Sequence, residues 1–504
     1  MVPIMNILTA HCNPVLPTEG LAGCFIDGEW HAPASGKQLT VENPSRRSTL
    51  AEVGRGGTEE VDQAVSAASR AFSAWRVLAA RERGKPLLAL AERIAEHTED
   101  IARLLAAETG NALRTQARPE VMGTAEVLRY YGGAIAEQKG ETLPLGPGIF
   151  SYSTREPHGV VGAIIPWNAP LLLGAMKLSM ALATGNTLVL KPAEDAPLAV
   201  IRMTELAADL FPAGVFNLVT GVGEEAGAAL ARHPLVSKTS FTGSSEVGKL
   251  VAHAAADRIA NVTLELGGKS PIIVYPDAAS EDLRENTVDG IVAAMRFSRQ
   301  GQSCTAGSRL FLHRDAWDRV MPRLAEKVGA MKMGDALDEA NDIGAIINAE
   351  RYTAVRDYVV EAIEQGAEVI VGGAPLPTEE VAGYFPPATI LAGLDNTWRI
   401  AREEVFGPAV SLIRMDTLDD AIAAIEPGVK GELWLTDAIR LLLEWGEVVR
   451  CVRLQEGERR YDIGTPPTYY RAFVDFALAD PEHGVAFAEY LRTCLRDEQT
   501  ETGT

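Results

Sequence analysis

Apolar positions at Val61, Val65, Ala68, Phe72 and Trp75 recur three and four apart and predict an amphipathic helix. Helical spacing continues over 82–108 and 118–138, and 23–27 and 40–41 read as short strands before it. Pro144, Gly146, Pro147 and Gly148 interrupt the pattern and predict a hairpin excursion within 139–158. From Gly159 the rhythm changes. Apolar runs at 160–165, 187–190, 215–219, 239–242 and 262–264 alternate with helical patterns at 171–183, 200–210, 224–231 and 246–256. Short apolar strands separated by helices predict a parallel sheet covered on both faces. A second alternating run, about 271–414, predicts another α/β unit. The expected class is α/β, with a doubly wound nucleotide-type domain over 1–264 and a second α/β domain over 265–425. Residues 426–504 differ: they are rich in aromatics, carry the single lysine Lys430, and show helical patterns at 436–445, 468–479 and 485–495.

Composition narrows the function classes. The 504 residues hold 47 Lys and Arg against 68 Asp and Glu, a net charge of −21, which repels phosphate backbones and argues against a nucleic-acid partner. No window reaches the ~18 uninterrupted apolar residues that a membrane span needs. The first residues lack the basic start of an export signal. Five cysteines, Cys12, Cys24, Cys304, Cys451 and Cys494, are scattered and odd in number, against a disulfide framework. A soluble, reduced, cytoplasmic protein is expected. No His, Cys or carboxylate cluster has metal-ligand spacing, so no metal is expected.

Candidate chemistry concentrates in a few segments. Cys304 lies among Gly301, Ser303, Thr305, Ala306 and Gly307, small residues that leave a sulfur accessible. Its context alone fits either a nucleophile or a core thiol. Glu265 ends an apolar strand before two glycines, where open α/β sheets place their sites; it reads as a partly buried general base or as the partner of Lys269 or an arginine. Asn168, between Pro166 and Pro170, suits either an oxyanion-hole amide or a local Asx-turn. Lys191 and Glu194 close one strand, and Gly243 and Ser244 open a helix after another, as ribose and pyrophosphate binding would require. The Gly221–Gly227 run has the wrong spacing for a dinucleotide loop, and Glu224 and Glu225 would repel phosphate.

Taken in order, PWNAP at 166–170, KPAE at 191–194, FTGSSEVG at 241–248, LELGGKSP at 264–271, GQSCTAGSR at 301–309 and EEVFGP at 403–408 resemble the aldehyde dehydrogenase superfamily over roughly residues 20–425. The resemblance implies an NAD-binding domain and a catalytic domain. It implies Cys304 as nucleophile, Glu265 as general base, and Asn168 with the Cys304 backbone N–H as oxyanion hole, with Lys177 nearby. Lys191 and Glu194 would hold the adenosine ribose, Gly243 and Ser244 the pyrophosphate, and Glu404 the nicotinamide ribose. Ile165, Trp167 and Phe406 would line the cofactor site. The implied reaction oxidises an aldehyde to an acid through a cysteine thiohemiacetal and thioester. Glu265 favours release by water over transfer to coenzyme A, and Glu194 favours NAD over NADP, because its charge opposes a 2′-phosphate. A homo-oligomer is expected of such a chain.

After Ala424 the resemblance ends, without the Pro-Phe-Gly-Gly-type loop expected of that family. Residues 426–494, with EPGVKGELWLTDAIRLLLE and GERRYDIGTPPTYYRAFVDFALADPEHG, resemble the last part of a bacterial glucose-1-phosphate uridylyltransferase. Asp462 matches a metal-holding position there, although the nucleotide loop of those enzymes is missing. The expectation is thus a truncated dehydrogenase fold with a foreign helical tail. The rival readings are a catalytically impaired or dead chimera that at most binds dinucleotide, and a nucleotidyltransferase.

Overall fold

The computed structural model of the chain describes residues 23–281 and 284–417. The expectations for the first residues, for the junction near 425, for Asp462 and for the helices of the tail lie outside the described residues.

Val160–Ile164 and Thr187–Lys191 are buried along their whole length, as parallel strands covered on both faces must be. Alternate side chains enter opposite cores: Val161 and Ala163 with Leu188 and Leu190 on one face, Val160 and Ile164 with Val189 and Phe241 on the other. The seven-stranded sheet runs, edge to edge, Asn261–Glu265, Val236–Thr242, Val160–Ile164, Thr187–Lys191, Phe216–Val219, Cys24–Ile26 and Glu29–His31. Its first five strands are parallel, with one irregularity between Val236 and Lys238, and their ends align: Thr242 opposite Glu265, Phe241 opposite Ile164 and Ile164 opposite Lys191. The C-terminal ends of four strands therefore open at one rim of the sheet. That rim positions the site.

The edge is finished by an antiparallel hairpin where the apolar pattern predicts one strand at 23–27. Asp27 and Gly28, at φ 52° and 87°, make its two-residue turn. The helical pattern at 82–108 divides at His97 into Ala80–Glu96 and Thr98–Thr109. Over 224–231 the chain forms a π-helical turn, Gly223–Gly227, and a short helix, Ala228–Arg232. The 139–158 excursion contains the pair Thr142–Leu143 and Ser151–Tyr152, leaving Leu143, Leu145, Ile149, Phe150 and Tyr152 exposed.

The second sheet runs Ser270–Val274, Gly307–His313, Ala409–Met415, Thr389–Ala392 and Glu368–Val371, the last strand antiparallel to its neighbour. Leu310 and Leu312 enter one core and Phe311 the other, so this sheet is also covered on both faces. Gly110 connects the two layers: its carbonyl accepts from Ala345 N–H at 3.1 Å and from Gln300 Nε2 at 2.9 Å. Its φ of 75° and the Ala345 oxygen, 2.3 Å from where a Cβ would stand, both require glycine. Among the described residues no helix is long and apolar enough to cross a membrane.

One buried carboxylate makes stability pH-dependent. Glu108 is fully buried and accepts from the N–H groups of Leu198 and Ala199 at 2.7 and 2.8 Å, capping helix Leu198–Ala207. Burial pushes its pKa from 4.5 to about 8. Between those values the folded state binds more protons than the unfolded, so this group's contribution falls as pH rises. Glu108→Gln, which cannot ionise, should flatten the urea midpoint across that range, removing a slope of at most about 1.4 kcal/mol per pH unit.

Candidate active site

The strand ends at the rim carry the residues that suit a dinucleotide. Ile165, just past Val160–Ile164, is buried and donates its N–H to the Lys191 carbonyl at 3.1 Å. Lys191 is buried at the end of the neighbouring strand, and its Nζ meets Glu194 Oε2 at 3.0 Å. Burial holds the Lys191 ammonium below its ordinary pKa, against the pull of Glu194. Burial would raise the Glu194 carboxyl, but Lys191 outweighs it and keeps Glu194 below the usual value. The other Glu194 oxygen accepts from Gly223 N–H at 3.4 Å. The Gly221–Gly227 run, set aside on spacing, thus orients this carboxylate, while Glu225 pairs with Arg55 at 2.8 Å.

One strand further, Gly243 donates to the Glu265 carbonyl at 3.0 Å, and a Cβ on Gly243 would stand 2.5 Å from the Phe241 ring. Ser244 caps helix Ser245–Ala256, its Oγ accepting from Val247 N–H at 3.3 Å. Backbone without side-chain bulk leads here into the positive end of a three-turn helix, a cradle for a diphosphate.

The thiol lies just before strand Gly307–His313 of the second sheet. Cys304 is exposed, whereas Cys24 is a buried core thiol whose pKa burial pushes up to about 12. The core-thiol alternative for Cys304 is therefore excluded. Its loop is built by long-range bonds. Asn168 is 6% exposed, and its Nδ2 donates to the Gln302 carbonyl at 2.9 Å, while its own carbonyl accepts from Asn111 Nδ2 at 3.2 Å. The side chain reaches across 134 residues of chain, which replaces the Asx-turn alternative. One amide proton of Asn168 remains for another acceptor. Gln302 Oε1 accepts from Ile347 N–H at 3.1 Å, and Gln302 Nε2 donates to Gln300 Oε1 at 3.1 Å. Sequence reasoning did not single out these two glutamines, although Gln302 lies in the motif around Cys304 and Gln300 immediately precedes it.

Carboxylates face the sulfur. Partial desolvation first, then the charges of Glu404 and Glu265, push the Cys304 pKa above its ordinary value; a backbone hydrogen bond at Cys304 and, more weakly, Arg299 oppose them. Glu265 ends the edge strand of the sheet and is exposed, where partial burial was expected; among the described residues no further strand pairs with that edge. Among the described residues no ion pair joins Glu265 to Lys269. Lys269 is buried instead, and that burial, aided by Arg309 and opposed by Glu404 and Glu403, lowers its pKa to about 7. Lys177 donates to Ser240 Oγ at 2.8 Å; burial brings its pKa down to about 8 against the attraction of Glu265.

Glu404 Oε1 accepts from Gly268 N–H at 2.9 Å, and a Cβ on Gly267 would stand 2.1 Å from Glu404 Oε2. Trp167 and Phe406 meet edge to face, centroids 5.4 Å apart at 82°. Gly301, at φ 67°, passes Gly407 so closely that a Cβ would lie 2.0 Å from its carbonyl oxygen. This contact fixes the Glu404–Phe406 segment against the Cys304 loop. The predicted residues thus fall into two sets, one at the strand ends of the first sheet and one around the Cys304 loop. Among the described residues no group of three or more His, Cys, Asp or Glu is placed to hold a metal ion.

Known proteins are similar to this chain in sequence and fold. The model of the aldehyde dehydrogenase family matches residues 30–431. The chain is 41% identical over 417 residues to the hydroxyisobutyraldehyde dehydrogenase of Mycolicibacterium austroafricanum, covering 82% of this chain and 81% of that protein. It is 39% identical over 403 residues to aldehyde dehydrogenase 1A1 of Ovis aries, covering 79% of each. The solved NAD+ complex of an aldehyde dehydrogenase from Bacillus cereus superposes with a TM-score of 0.77 at 34% identity, over 84% of both chains.

Proposed function

We infer the roles of the site residues from one premise: this chain belongs to the aldehyde dehydrogenase family. It is an enzyme that oxidises a small-molecule aldehyde with NAD. The residues fit that cofactor. Lys191 and Glu194 offer a donor and an acceptor for ribose hydroxyls, and Gly243 with Ser244 offers an open helix N-terminus for the diphosphate. Glu404, held by Gly268 N–H, suits the second ribose, and Ile165, Trp167 and Phe406 suit the walls. The charge of Glu194 opposes a 2′-phosphate and so favours NAD over NADP.

In the proposed mechanism the Cys304 thiolate attacks the aldehyde carbon. Asn168 Nδ2 and the Cys304 backbone N–H receive the developing oxyanion of the thiohemiacetal. NAD, when bound, supplies the hydride acceptor. Loss of hydride from the tetrahedral carbon leaves an acyl thioester on Cys304. Glu265 then takes a proton from water, which attacks the thioester carbon and releases the acid and the thiol. Lys177 balances the charge of Glu265. The observation that carries this reading is the Asn168–Gln302 bond, which brings an amide donor from the cofactor side to the thiol loop. Purified protein should form NADH and acid in equal amounts from an aldehyde and NAD. Asn168→Ala should lower kcat by roughly 10²–10³-fold. Failure to form NADH across a broad aldehyde panel, by folded protein that binds NAD, would overturn the proposal.

Finer assignments complete it. Residues to 264 form the cofactor-binding domain and 265–425 the catalytic domain. A cytoplasmic homo-oligomer is supported by the exposed apolar hairpin around Phe150 and by free thiols at Cys24 and Cys304. The reading of 426–494 as the end of a uridylyltransferase rests on the sequence motifs alone.

A further inference from the structure

Glu194 and Glu404, the two carboxylates suited to the ribose groups, stand on separate segments of the chain, and one short stretch bonds to both segments. It is 345–351, which leads into helix Ala349–Glu364. Ala345, Ile346 and Ile347 are buried, and their N–H groups donate in turn to the Gly110 carbonyl at 3.1 Å, the Tyr384 carbonyl at 2.8 Å and Gln302 Oε1 at 3.1 Å. Three consecutive donors thus fix the stretch against other parts of the fold before the helix begins.

Asn348 caps that helix. In extended backbone, at φ −156°, its Oδ1 accepts from Arg351 N–H at 2.9 Å. Capping uses the amide oxygen and leaves the nitrogen to donate elsewhere. Asn348 Nδ2 donates to Asp195 Oδ1 at 3.2 Å, and Asp195 directly follows Glu194, whose Oε2 meets Lys191 at 3.0 Å. Aspartate would cap the helix equally well, but it could not donate to a carboxylate.

One turn on, Arg351 Nη2 donates to the Val405 carbonyl at 2.7 Å. Val405 is buried between Glu404, which accepts from Gly268 N–H at 2.9 Å, and Phe406. Phe406 has a φ of 52°, a left-handed backbone that a non-glycine residue keeps only where its surroundings hold it. The Arg351 bond fixes the peptide that enters this residue. The bonds therefore run in series, from Glu194 and Asp195 through Asn348 and Arg351 to Val405 and Glu404.

We propose that Asn348 and Arg351 are positioning residues that tie the Glu194 and Glu404 segments together and set the spacing at which the two halves of NAD are received. The proposal rests on Glu194 and Glu404 as the ribose-binding carboxylates. A dinucleotide that must reach both gains from a spacing fixed in advance, whereas a mononucleotide that meets only one does not.

The test is calorimetric titration of the full chain with NAD and, separately, with AMP, which carries the adenosine ribose alone. Arg351→Ala should raise the NAD Kd roughly tenfold and leave the AMP Kd within about twofold, and Arg351→Lys, which still donates, should lie nearer the parent. Asn348→Asp keeps the cap but sets a carboxylate against Asp195, and should weaken NAD by a similar factor. Adding Asp195→Asn reverses donor and acceptor and should restore the affinity. Joining Asn348→Asp to Arg351→Ala should cost no more than the larger single effect, because a tie in series breaks once. Parallel loss of NAD and AMP affinity in Arg351→Ala, no recovery on adding Asp195→Asn, or effects that multiply would each overturn the proposal. If Asn348→Asp does not fold, the comparison of NAD with AMP in Arg351→Ala decides alone. An unchanged NAD Kd in Glu404→Gln would instead overturn the reading of Glu404, an outcome separate from these.

Discussion

Cys304→Ser should abolish aldehyde oxidation, lowering kcat/KM by about four orders of magnitude or more. The reason is the surroundings of the sulfur. A thiol is far more acidic than a hydroxyl, even where desolvation and the charges of Glu404 and Glu265 raise its pKa. A serine hydroxyl would stay protonated beside the two carboxylates and the guanidinium that act on the position. No imidazole is among them. NADH formation measures the loss, while calorimetric titration with NAD should show an unchanged Kd, because Lys191, Glu194 and Ser244 are untouched. Turnover within tenfold of the parent would refute the assignment of Cys304.

Glu265→Gln should separate the two halves of the reaction. Hydride loss needs the thiolate and the oxyanion donors; only thioester hydrolysis needs a proton acceptor for water. The variant should therefore release one burst of NADH per site, then turn over roughly 10²–10⁴-fold more slowly. Mass spectrometry should find the acyl group on Cys304, and hydroxylamine, which attacks the thioester without a base, should restore turnover. The same substitution removes a negative charge that raises the Cys304 pKa, so the pH midpoint of its alkylation by iodoacetamide should fall. Steady turnover without a burst and without an acylated peptide would show that another group activates the water.

Much of the fold was legible because burial on two faces writes itself into the chain. Val160–Ile164 and Thr187–Lys191 are continuous apolar runs for that reason, and the helices between them keep the helical period. Less was legible where one residue changes the direction of the chain. The edge hairpin turns on Asp27-Gly28, a recognised turn signal that the three-residue strands around it are too short to frame. The break at His97 has no proline or glycine to announce it.

The site was legible as a set of residue types, each with a second meaning. Cys304 read as nucleophile or core, Asn168 as hole or turn, and Glu265 as base or ion-pair partner. Contacts between distant parts of the chain bear on these choices: Asn168 on Gln302, Gly301 against Gly407, and Lys269 facing Arg309 and Glu404. Arg299 and Glu120 carried no signal, being an ordinary cation and anion 179 positions apart that the fold sets 3.7 Å from each other.

By itself, then, the sequence determined the order of strands and helices, the acidic charge and the chemical types available at the strand ends. These follow from spacing among near neighbours along one chain. Tertiary structure decided which of those groups share a field and which share a bond, because Coulomb interactions and hydrogen bonds act through distances that the folding of distant loops sets.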